Sequence, residues 1–205
     1  MVKYQSTRGH KETISFEDVI LSGLAPDKGL YLPDSLTIDN LNHLTEEDLS
    51  YEDFVKTIFI ALDKNSAKYV DDLSLYSGFE NSAEPVLKDL NDTTLIMELF
   101  HGPTKSFKDY ALQPLGAIAD KRLSELGERG LVLVATSGDT GSAAIQAVKE
   151  SENIDIVVLH PADKISDYQR QQMTSVIKDN VLNIAVNGSY DAVSYTHLRA
   201  HETPM

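Results

Sequence analysis

Leu131-Val-Leu-Val-Ala135, followed by Thr136-Ser-Gly-Asp-Thr-Gly141 and Ser142-Ala-Ala144, runs from a continuous apolar segment through a glycine-bearing loop into helix-forming residues. Five apolar residues with no polar alternation predict a parallel strand buried on both faces. The loop predicts a tight turn, and Ser142 to about Glu150 a short helix. On either side the same grammar repeats. Leu95–Phe100 reads as a strand, His101–Thr104 as a loop, and Ser106 to about Leu126 as a helix that Pro114 bends near its start. Ile154–Leu159 reads as a second buried strand, Asp163–Val176 as a helix and Val181–Val186 as a third strand. Strand and helix alternating with short joins argue for right-handed βαβ units around a parallel sheet.

Upstream, residues 1–92 predict a mixed, mostly helical region. Ser15 can cap a helix that Gly23 ends, and Gly23–Pro33 reads as turn, short extended run, turn. Ser50, with Asp53 three residues on, can cap a second helix carrying Tyr51, Phe54, Val55, Ile58 and Leu62 at helical spacing. The expected organisation is therefore an N-terminal domain over 1–92, part of a βαβ domain over 93–193, and a tail over 194–205. Gly188–Val193 marks where another helix should begin.

Composition restricts the function classes. The 205 residues carry 32 acidic and 18 basic side chains, a net charge of −14. Residues 34–92 alone hold 14 Asp and Glu against 4 Lys, which reads as a solvated acidic face. With no basic stripe, nucleic acid and anionic membranes are disfavoured as partners. There is no cysteine, which excludes disulfides and thiolate metal sites and suits a reducing, cytoplasmic setting. No run approaches the ~18 apolar residues of a membrane span.

Two segments can carry chemistry. In His101-Gly-Pro-Thr-Lys-Ser-Phe-Lys-Asp-Tyr-Ala111 a turn delivers Lys108 to a helix start between Phe107 and Tyr110. Partial burial would disfavour the ammonium form, and a neutral amine is what reaction with an aldehyde requires. Taken alone, this lysine reads more simply as a surface residue at a helix start. In Thr136–Gly141 small residues and a helix N-terminus can present backbone N–H groups to a carboxylate or phosphate. Spacing alone leaves that reading level with a tight turn capped by Asp139. The two glycines stand too close for a dinucleotide or P-loop pattern. His101 is read as satisfying loop hydrogen bonds and His160, before Pro161, as a strand-end turn. His197 and His201 have i, i+4 spacing without the glutamate of a zinc-protease motif, and no metal site is expected.

His101-Gly-Pro-Thr-x-x-Phe-Lys-Asp109 followed by Thr136-Ser-Gly-Asp-Thr-Gly141 resembles the threonine synthase family. Tyr4-x-Ser-Thr-Arg-Gly9 and Gly23-Leu-Ala-Pro-x-x-Gly-Leu-Tyr-x-Pro33 are similar to that family's N-terminal region. The resemblance covers roughly residues 1–193. It implies the tryptophan-synthase-β type of fold, pyridoxal 5′-phosphate as cofactor, and conversion of O-phospho-L-homoserine and water to L-threonine and phosphate. It implies Lys108 as the Schiff-base lysine and proton shuttle, with Phe107 and Asp109 beside the cofactor. Ser137, Gly138, Asp139 and Thr140 would hold the substrate carboxylate, and Lys105 would add positive charge for a doubly anionic substrate.

A threonine dehydratase of the same fold and a noncatalytic relative binding a phosphorylated ligand are the competing readings. The family's chain is longer: its loop for the cofactor phosphate and the partner of the pyridine nitrogen have no counterpart in these residues. Ser194–Met205 departs from the family pattern and is expected to be a non-native tail. The 205-residue polypeptide is expected to be inactive by itself and aggregation-prone, with an open sheet edge and uncovered apolar faces.

Overall fold

A computed structural model describes residues 2–35, 49–71, 73–80 and 82–188. The expected helix start at Gly188–Val193 (beyond Gly188 itself), the tail and both of its histidines lie outside the described residues. The chain divides into two compact units, Met1–Tyr76 with Ser82–Glu84 and Ser77–Asn81 with Pro85–Met205.

In the first unit, β1 (Tyr4–Ser6) pairs antiparallel with β2 (Tyr31–Pro33), Tyr4 opposite Pro33. Asp27 ties the connection together, accepting from Ser6 Oγ at 2.6 Å, His10 N at 2.8 Å and Gly29 N at 3.0 Å. These hydrogen bonds, the Ser6 one foremost, hold its carboxyl below the ordinary range. Helix α1 (Phe16–Val19) begins at Ser15, whose hydroxyl accepts from Asp18 N as predicted. It stops at Val19 rather than at Gly23, because Ser22 N turns back to the Val19 carbonyl. Helix α2 (Tyr51–Leu62) begins at Ser50, which accepts from Asp53 N at 3.1 Å. A 3₁₀ turn, Lys64–Ser66, leads into α3 (Ala67–Val70).

Tyr4, Phe16 and Tyr69 form an aromatic line with ring centroids 6.1 and 6.0 Å apart. Burial, with Asp63 and Glu17 adding repulsion, pushes the Tyr4 hydroxyl up to about 12. A raised folded-state value means stability fully present below pH 10 and lost as pH rises toward 12. Ultraviolet titration should therefore find one tyrosine ionising late and together with unfolding. In Tyr4→Phe that late step should vanish.

The second unit opens with a hairpin, β3 (Val86–Asn91) antiparallel to β4 (Thr94–Glu98). Asn91 Oδ1 accepts from Thr93 N and Oγ1, an Asx turn. Helix α4 (Asp109–Leu126) continues through Pro114 and ends at Gly127, whose left-handed φ of 66° lets Glu128 N reach the Leu123 carbonyl. It starts three residues later than expected, so Lys108 immediately precedes the helix instead of lying in its first turns.

Then come β5 (Gly130–Ala135), α5 (Asp139–Val148), β6 (Ile154–Pro161), α6 (Asp167–Thr174) and β7 (Val181–Val186). The strands form a parallel sheet in the order β5-β6-β7. Leu123, Ala144, Ile145, Val148, Ile154, Ile156, Val158 and Met173 make the core between the helices and one sheet face. The opposite face corrects one expectation: β5 is not buried on both sides. Leu131 and Leu133 on β5, with Leu182 and Ile184 on β7, are exposed, so the apolar run alternates between a covered and an uncovered face. Among the described residues, no helix is long and apolar enough to cross a membrane.

Candidate active site

The site lies at the carboxyl end of β5. Thr136, 2% exposed, turns the chain there. Its Oγ1 accepts from Gly138 N at 2.9 Å and Gly141 N at 3.0 Å. Two loop amides are thus spent on folding the loop. The first-turn amides of Asp139 and Thr140 belong to α5 and have no carbonyl four residues back within that helix. Anion-binding capacity in this loop therefore resides in those amides and the helix dipole. Gly138 has a φ of 143°, reached without strain only by glycine. A Cβ there would also come within 2.5 Å of the Gln169 side chain.

The lysine segment meets this loop. Lys108 Nζ stands 3.7 Å from Asp139 Oδ2 and 4.6 Å from the centroid of the Phe107 ring. Lys108's side chain is 28% exposed. The side chain is thus only partly buried, its amine beside a carboxylate and over the face of the Phe107 ring. Phe107 is itself exposed, and Tyr110 packs edge-on against Phe79 at 5.0 Å.

Asp109, adjoining the lysine, points into the protein. It is fully buried, accepting from Thr104 N at 2.9 Å and from Thr104 Oγ1 at 2.9 and 3.0 Å. Burial raises its carboxyl above the ordinary range; the Thr104 hydrogen bonds and the Lys105 charge oppose that without cancelling it. Gly102 is required opposite, since a Cβ would lie 2.4 Å from Asp109 Oδ2. Lys105 carries a left-handed φ of 63° and pairs with Glu80 at 3.7 Å.

His101 Nε2 is 3.1 Å from Glu98 Oε2, so its partner is the carboxylate that ends β4. His160 lies inside β6 rather than in a turn after it, buried with Nδ1 3.3 Å from the Pro161 carbonyl. Among the described residues, no group of three or more His, Cys, Asp and Glu side chains is disposed to hold a metal.

Sequence reasoning missed four residues of this site: Thr104, Thr136, Gln169 and Gln172. Gln172 Nε2 donates to the Thr104 carbonyl at 2.8 Å, and Gln169 Nε2 donates to Asp139 Oδ1. A signal for one of them was present in Ser166-x-x-Gln169, the spacing of a capping box; Ser166 does cap α6, accepting from Gln169 N.

Known proteins match nearly the whole length of this chain. Residues 3–70 match the family model described as threonine synthase N terminus. The chain is 41% identical over 197 residues to a threonine synthase of Pseudomonas aeruginosa, covering 93% of this chain and 42% of that protein. It is 37% identical over 200 residues to threonine synthase-like 2 of Xenopus laevis, covering 95% of this chain and 42% of that protein. The fold is similar to a pyridoxal-phosphate-bound threonine synthase from Brucella melitensis, with a TM-score of 0.86 and 34% identity over 98% of this chain and 44% of that one. The yeast threonine synthase gives a TM-score of 0.85 and 31% identity over 98% of this chain and 44% of that one. The chain thus spans less than half the length of the relatives it matches. On sequence and fold alike, this α/β chain belongs with the threonine synthases, along the N-terminal portion of their length.

Proposed function

We propose that the whole protein is a pyridoxal-phosphate-dependent lyase that converts O-phospho-L-homoserine and water to L-threonine and phosphate. The observation that carries this reading is the meeting of Lys108 with the Ser137–Thr140 loop at the carboxyl end of a parallel strand. In open α/β sheets that end is where ligands bind. The residues present fit the cofactor: a partly exposed amine to take its aldehyde, an aromatic ring beside the amine, and a buried aspartate fixing the backbone next to it. Lys108 would hold the cofactor, with Phe107 alongside and Asp109 acting through the loop.

When bound, pyridoxal phosphate supplies an electron sink for negative charge at the substrate's α and β carbons. The protein's part is position and proton transfer. Lys108 Nζ would carry protons at those two carbons. The Asp139 and Thr140 amides, with the Ser137 and Thr140 hydroxyls, hold the substrate carboxylate, and Gly138 sets the turn that presents them. The Asp139 side chain is unsuited to that task because it is itself an anion, paired with Lys108 and Gln169. Lys105 adds positive charge for the substrate phosphate in a chain of net charge −14. A chain without cysteine suits a reducing cytoplasm.

Incubating the whole protein with pyridoxal phosphate and O-phospho-L-homoserine should release phosphate and threonine in equal amounts. A 2-oxo acid formed from threonine, with no phosphate release from phosphohomoserine, would assign it instead to the dehydratases. Binding without turnover of either would assign it to noncatalytic relatives.

A further inference from the structure

Helix α6 contributes nothing to the chemistry proposed above, yet it reaches both of the site's loops. Its eight residues, Asp167–Thr174, present Gln169 and Gln172 one turn apart, on neighbouring positions of one face. Gln172 donates to the Thr104 carbonyl, 68 residues away in sequence. Thr104 is then held on every polar atom, its amide and hydroxyl by Asp109 and its carbonyl by Gln172. The next residue, Lys105, keeps a left-handed backbone that a β-carbon disfavours, so the turn needs such restraint.

Gln169 is fixed at both ends of its amide. Its Oε1 accepts from Ser166 Oγ at 3.1 Å, and its Nε2 donates to Asp139. It also lies against Gly138, where only glycine leaves room for it. The helix itself is anchored from below. Met173 is fully buried, and its carbonyl accepts from Asn183 Nδ2 on β7 at 3.1 Å.

We propose that α6 is a brace in which Gln172 and Gln169 act as positioning residues, setting the Lys108 turn against the Ser137–Thr140 loop. Its importance for turnover rests on Lys108 carrying the cofactor; its mechanical part does not. Both interactions need a side-chain N–H, so glutamate keeps the shape and removes the function.

Hydrogen exchange of the cofactor-free whole protein, compared among wild type, Gln172→Glu and Gln169→Glu, tests the brace without reference to catalysis. Gln172→Glu should speed exchange in residues 102–109 by about tenfold, the worth of one net hydrogen bond, and leave residues 136–141 slower to respond. Gln169→Glu should do the reverse, helped by repulsion from Asp139. In the loaded protein, Gln172→Glu should lower kcat with KM little changed, whereas Gln169→Glu should chiefly raise KM for phosphohomoserine. Exchange unchanged in both segments, or raised uniformly across the unit with only a lower Tm, would overturn the proposal. Local exchange changes in a protein that takes up no cofactor would uphold the brace and remove the proposed function instead.

Discussion

Lys108→Ala is expected to lower threonine formation by the whole protein by about a thousandfold or more, the scale of losing a positioned proton carrier together with the covalent anchor. The geometry makes the effect specific to this lysine. Lys105, three residues earlier, is turned by its left-handed backbone toward Glu80, whereas Lys108 Nζ faces Asp139 across the site. Borohydride reduction of the loaded wild type should leave a pyridoxyl group on the peptide carrying Lys108, and the variant should lose that label. Lys105→Ala should keep the label and weaken phosphohomoserine binding only modestly. A labelled Lys108→Ala protein would place the anchor elsewhere and undo the assignment of the site. Folding is an inadequate alternative cause, because Lys108 is partly exposed and its ion pair with half-exposed Asp139 is the kind that contributes little to stability.

It was the family resemblance that singled out this lysine, which taken alone reads as a surface residue at a helix start. Leu131–Ala135 and the turn after it were legible because an apolar run followed by small residues and a helix has few other solutions. Ser50 was legible as a cap because an aspartate follows it three residues later, and Ser15 because it directly precedes an apolar-faced segment. Hairpin β3–β4 was only half legible. Lys88, Asp89 and Asn91 break the apolar pattern of Val86–Asn91, and the turn relies on the Asn91 side chain instead of a glycine.

The uncovered face of β5 was misread for a different reason. Periodicity reports which residues prefer burial, and Leu131 and Leu133 do, but covering them needs a further layer that the described residues do not supply. The brace was illegible because its contacts are long-range: nothing within the local pattern of α6 links Gln172 to a turn 68 residues upstream.

Asp109 carries the second large effect, and its sign with pH follows from its burial. Asp109→Ala removes the acceptor for Thr104 N and Oγ1, leaving two donors stranded beneath the lysine turn. Urea unfolding at neutral pH should register a loss of about 1–3 kcal/mol, the cost of buried polar groups without partners, offset in part because an ionised carboxylate is no longer desolvated. Asp109→Asn separates these contributions. Its carbonyl can still accept from Thr104, but its NH₂ enters a position where the aspartate oxygen only accepts, and it cannot ionise. The folded-state value of Asp109 lies above its ordinary 3.8, so its contribution is fully present below 3.8 and is lost as pH rises through the folded value. Measured against Asp109→Asn, the wild type should therefore gain stability as pH falls from neutral toward 3.8, the reverse of a carboxylate held by an ion pair. Parallel stability curves for the two proteins, or a wild type that loses ground on acidification, would show that Asp109 is solvated or ion-paired in solution, and the rigid turn ascribed to it beneath Lys108 would have no support.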